Sequence, residues 1–169
     1  MENAPLPLDL NDALAADITL ATIRMLRETF GIEAAAGRPE YGEGIASLVG
    51  DISGIIGMAQ SRLEGTLILC VDEALLRQTL PPIIGKSASI THEVAVDAVG
   101  ELTNIIFGQV KRDLNLRGHQ LNLGIPSVVT GRGHFIGQFH RGRYMIVPFQ
   151  IGGCLFQIYV ALHEALSQK

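Results

Sequence analysis

The sequence predicts an α+β fold in which an antiparallel sheet carries two long helices on one face. Two observations point there. Two stretches show helical spacing of apolar residues, around residues 10–30 and 92–116. Each is followed, past Gly- and Pro-containing segments, by a pair of short β-branched runs with a turn between them. The halves also end alike, in "GTLILCVDEAL" and "GCLFQIYVALHEAL". An internal duplication with a pseudo-two-fold axis is one reading of this likeness, and convergence of ordinary α/β patterning is the other.

The elements follow in order. Residues 1–10, with Pro5 and Pro7, read as a flexible tail ahead of a single domain spanning 11–169. Leu14, Ile18, Ile23, Leu26 and Phe30 mark the first helix, with Asn11 or Asp12 as its cap and Gly31 as its stop. "GRPEYGEG" reads as a turn-rich break. "IASLVGDISGIIGMAQ" and "LEGTLILCVDE" read as two strands of a hairpin. Asp72 then caps a short helix that Pro81 and Pro82 end.

The second half repeats the plan. Ser89 or Thr91 caps a helix running to about Leu116, with Glu93 near its positive end and Gly118 as its stop. "HQLNLGIPSVVTG" is a strand broken at Gly124, Ile125 and Pro126. "RYMIVPFQI" and "CLFQIYVAL", joined at Gly152 and Gly153, form the last hairpin.

Composition narrows the function. Of 169 residues, 47% are apolar and 18% charged, as in a folded globular chain. The net charge is −4 and no dense Lys/Arg run occurs, which argues against nucleic acid or an anionic membrane as partner. Arg132, Arg141 and Arg143 gather near one loop and read as a solvated turn. No run of apolar residues is long enough to span a bilayer, and no signal peptide is visible. Cys70 and Cys154 sit alone in apolar runs, as reduced thiols do, and a cytoplasmic location is expected. Met58 and Met145 read as core filler. His134 and His140 flank a Gly-rich segment, read as a hairpin tip, without the tight spacing of a zinc site.

The second long helix holds an anomaly. "DAVGELTNIIFGQVKRDL" has Asn104 at its middle and glycines at 100 and 108, although each glycine costs about 1 kcal/mol against Ala in a helix interior. A helical wheel gathers Ala95, Ala98, Val99, Leu102, Ile105, Ile106 and Leu116 on a core-facing side. Asp97, Glu101, Asn104, Gly108, Lys111 and Arg112 fall opposite. Glu101 and Asn104, three apart, are surface neighbours. A carboxamide both donates and accepts, so it can hold a water in line with a phosphoryl group. A carboxylate beside it can engage a partner's ammonium. The pair suits a half-site completed by a phosphorylated protein. An ordinary polar pair on a solvated helix is the competing reading.

"GELTNIIFGQVKRDL" resembles the E-x-x-N helix of the CheC/CheX/FliY phosphatase family, and residues 50–73 and "LGIPSVVTGRGH" resemble flanking strands of CheX-type members. The resemblance covers residues 14–166. It implies hydrolysis of the aspartyl phosphate on a CheY-like response-regulator receiver domain. By motif position, Glu101 would pair with the receiver's lysine and Asn104 would orient the attacking water. Asp97, Gly100, Gly108 and Lys111 would border the partner. The Mg2+ would belong to the receiver, and this chain would carry no cofactor. The first helix, "DITLATIRMLRETFG", has no E-x-x-N, which matches single-site CheX-type members that form homodimers. The alternative within the same fold is a receiver-binding or scaffold module without catalysis.

Overall fold

The computed structural model describes residues 6–44, 46, 48–61, 63–80, 89–132, 134 and 142–164. Helix α1 (Asp12–Phe30) opens the fold, followed by the short strands β1 (Ala35–Ala36) and β2 (Glu40–Glu43). The hairpin β3 (Ile52–Gln60) and β4 (Leu63–Val71) and the helix α2 (Glu73–Thr79) complete the first half. The second half has α3 (His92–Leu116), β5 (Asn122–Leu123), β6 (Ser127–Thr130), β7 (Arg143–Ile151) and β8 (Cys154–Glu164).

Local chemistry explains the helix ends. The Asn11 side chain accepts from Leu14 N–H at the start of α1, and Gly31 closes it in the left-handed conformation with φ 66°. Thr91 caps α3 through Val94 N–H. Asp72 stands at the N-cap of α2 but makes no side-chain cap bond. The prolines expected to stop α2 lie outside the described residues, as do His140, Arg141 and more than half of the Gly-rich segment 131–143.

All strands join one antiparallel sheet of order β1-β7-β8-β4-β3-β5, with β2 also on β7 and β6 also on β3. The hairpins β3–β4 and β7–β8 meet at the centre, where β4 pairs β8 with Leu67 opposite Val160. The small strands cross over: β1 and β2 leave the first half to pair with β7, while β5 and β6 leave the second to pair with β3. Backbone bonds repeat the symmetry. Gly37 N–H donates to Pro148 O at 2.8 Å, and Gly124 N–H donates to Gly57 O at 2.9 Å. Gly44 N–H donates to Gly142 O, and Gly131 N–H to Asp51 O. Pro148 is tolerated inside β7 because it falls at the break between β1 and β2.

The main core lies between one sheet face and α1 and α3, built on Ile18, Met25, Ile56, Leu67, Phe107, Val147 and Ile158. The expected core methionines, Met58 and Met145, are buried there. A smaller cluster of Ile68, Ile146, Tyr159 and Ala161 fills the other face.

Four expectations are corrected. Residues 6–10 are not loose. Leu8 and Leu10 enter the core, and the buried Gln60 amide accepts from Leu8 N–H at 2.9 Å while donating to Leu6 O at 2.7 Å and to His119 O. Within "GRPEYGEG", residues 40–43 form a strand. Its pairing with Arg143–Ile146 comes from a distant backbone rather than from local β-propensity. The strand expected from Ile45 begins at Ile52, and Ala46 and Leu48 instead pack on the outer-face cluster. Leu116, assigned to the core side of the second long helix, is 82% exposed. It lies about 200° around α3 from the buried Leu114.

Candidate functional site

Helix α3 is fixed on the sheet by an unusually close approach. Thr103 is fully buried, and a Cβ built on Gly54 would lie 1.8 Å from its Oγ1. Only glycine fits at that place in β3. The Thr103 hydroxyl donates to Val99 O at 2.6 Å, so no polar group is stranded. With Ala95, Val99, Thr103, Ile106 and Phe107 buried, helical geometry turns Asp97, Glu101 and Asn104 outward.

Glu101 and Asn104 are both exposed, and among the described residues neither side chain has a hydrogen-bond or ion-pair partner. Their functional groups are therefore free to meet a second molecule. They line a shallow groove of about 480 Å3 between α3 and the β5–β6 connection. Asp97 and Gly100 lie on the helix wall, and Gly124, Ile125, Pro126 and Val128 form the opposite side.

The predicted partner-contact residues divide. Asp97 and Gly100 join Glu101 and Asn104 in the groove, whereas Gly108 and Lys111 lie on later turns and do not line it. A Cβ on Gly100 would sit 3.4 Å from Val128 Cγ2, so the space beside this glycine is bounded by the chain's own β6. Among the described residues, nothing lies within 4 Å of a Cβ built on Gly108, so none of them gives that glycine a packing cause. The far wall escaped the sequence reading as a site. Gly124, Ile125 and Pro126 were legible as a turn, but their place across from Asn104 follows from β5 and β6 pairing with β3.

Other candidate groups are engaged elsewhere. Arg132 lies 3.6 Å from Asp51, and Arg143 lies 3.1 Å from Asp9, so these two basic side chains are matched by acids. His134 Nε2 is 2.7 Å from Ser53 Oγ, and its Nδ1 is 2.5 Å from Gly131 O. Cys70 is buried, and desolvation pushes its thiol above the ordinary value, although the Ser53 hydroxyl bond works in the opposite direction. Among the described residues, no group of three or more His, Cys, Asp or Glu is placed to hold a metal ion. No helix among them is long and apolar enough to cross a membrane.

The family model of the chemotaxis phosphatase CheX matches residues 52–150, which include α3 and every residue lining the groove. No curated protein matches the chain. Among solved structures, it is similar to a CheC-like superfamily protein from Shewanella sp. PV-4, at 27% identity and TM-score 0.79, covering 91% of this chain and 99% of that one. It is also similar to a chemotaxis protein CheX from Desulfovibrio desulfuricans, at 25% identity and TM-score 0.77, covering 89% and 99%. A Borrelia burgdorferi CheX, solved in a complex with CheY, BeF3 and Mg2+, shares the fold at 24% identity and TM-score 0.69, over 88% and 97% of the two chains.

Proposed function

The chain belongs to the chemotaxis phosphatase CheX family, and from that premise we propose that it accelerates hydrolysis of an aspartyl phosphate on a CheY-like receiver domain. The observation that carries this reading is the exposed, unpartnered Glu101–Asn104 pair on one wall of an open groove. Such a pair has little chemistry of its own. Among the described residues no nucleophile–base couple adjoins it in the groove lining, which favours a phosphoryl group carried in on another protein.

In this reading the Asn104 carboxamide holds a water in line with the phosphorus. Its oxygen accepts from the water, and its nitrogen donates to a phosphoryl oxygen. Water adds to phosphorus as the bond to the aspartyl oxygen breaks, leaving a free carboxylate and inorganic phosphate. The Glu101 carboxylate draws the receiver's lysine ammonium and fixes the docking angle. The Mg2+ belongs to the receiver. That a Borrelia burgdorferi CheX of the same fold was solved in complex with CheY, BeF3 and Mg2+ supports a receiver domain as the partner.

A panel of receiver domains, phosphorylated with a small phosphodonor, tests the proposal. One member should lose phosphate faster when this chain is added. If every receiver keeps its phosphate lifetime, the catalytic reading fails. Homodimer formation is part of the same proposal and is checked by mass measurement at low concentration.

A further inference from the structure

We propose that Ile125 is a specificity-determining residue, an apolar contact for the receiver domain that engages Glu101 and Asn104. The proposal rests on the phosphatase reading and deepens it. Ile125 is 90% exposed, the most exposed large apolar side chain among the described residues. It lines the same groove as Glu101 and Asn104, so a protein engaging that pair would cover it.

The backbone holds Ile125 firmly. Gly124 N–H donates to Gly57 O at 2.9 Å, Pro126 restricts the following φ, and β5 and β6 on either side are both bonded to β3. Little backbone freedom is therefore lost when a partner covers it.

The pseudo-symmetric loop supplies the control. Gly37, Arg38 and Pro39 join β1 to β2 as Gly124, Ile125 and Pro126 join β5 to β6, and Gly37 makes the matching backbone bond to Pro148 O. The residue between glycine and proline there is an exposed Arg38. The loop geometry thus does not demand an apolar side chain. The apolar residue stands on the half whose helix carries Glu101 and Asn104, and the polar one on the half whose helix lacks such a pair.

The experiment measures receiver binding and phosphate loss for the full chain and for Ile125→Ala, Ile125→Arg and Leu116→Ala. Leu116 serves as an exposed apolar control that does not line the groove. Ile125→Ala should raise KM and receiver Kd about tenfold at nearly unchanged kcat. Ile125→Arg should raise both further, and Leu116→Ala should change neither. Unchanged KM and Kd for the Ile125 variants, with an active wild type, overturn the proposal alone. Receiver binding that needs Ile125 without faster phosphate loss overturns the catalytic reading and keeps the contact. A wild type that neither binds nor accelerates any phosphorylated receiver overturns both. Unchanged melting of the variants separates contact loss from misfolding.

Discussion

Thr103 presses into the gap that Gly54 leaves in β3, and this contact sets how far α3 stands from the sheet. The neighbours of Thr103 on the helix, Glu101 and Asn104, point into the groove because Thr103 points away from it. Packing and chemistry are thus coupled through one glycine.

Gly54→Ala should therefore destabilise the fold by about 1–3 kcal/mol, the range of a core overfilled by one carbon. It should also slow any receiver dephosphorylation by shifting α3. Adding Thr103→Ala should recover part of the stability, since the two sites share one contact. Denaturant melts of both single variants and the double variant give the coupling. A Gly54→Ala protein as stable as the wild type would contradict the packing argument.

Asn104→Ala should abolish most receiver dephosphorylation, a loss of about 3 kcal/mol in the barrier if the carboxamide holds the water. Glu101→Ala should act chiefly on receiver affinity. Because both side chains are exposed and, among the described residues, unpartnered, neither change should move the melting point appreciably. Kinetics at saturating receiver distinguish the two roles. Normal turnover by both variants would remove the assignment.

Gln60 ties the segment ahead of α1 to the turn after α3. Gln60→Ala leaves Leu8 N–H without its side-chain partner and opens space at a buried site. A loss of about 2 kcal/mol or more is expected, by the usual penalty for a stranded buried group. Amide hydrogen exchange should show Leu8 opening before the sheet does. Protection of Leu8 equal to the wild type would argue against the role.

Burial raises the Cys70 thiol above its ordinary value near 9.0. The folded protein therefore keeps a proton that the unfolded chain releases. The associated stability is fully present below about pH 9 and is lost as pH rises through the higher folded value. Stability should fall as pH rises above about 9, and Cys70→Ala should flatten that part of the profile. Tyr41, raised to about 12 by desolvation and by its bond to Asp12, adds a similar loss only above about pH 10. Denaturant titrations across this window check the slope.

Much of the fold was legible in the sequence because its signals are local. Asn11, Gly31, Thr91 and Gly118 fall at the ends of α1 and α3, and both hairpins form where β-branched runs flank a turn. The Glu101–Asn104 spacing was enough to put both side chains on one exposed face. The Gly-x-Pro repeat at residues 37–39 and 124–126 was also present, but its meaning depends on which strand each loop adjoins.

By itself, then, the sequence determined the two long helices, the two hairpins, the likeness of the halves and the outward pair on α3. Tertiary structure alone decided that the small strands exchange partners between the halves, that Gln60 captures residues 6–8, and that Ile125 faces the pair. The physical reason is range. Periodicity and caps act within a few residues, whereas the bond from Gly124 to Gly57 joins segments far apart in the chain, which come together only once the sheet has assembled.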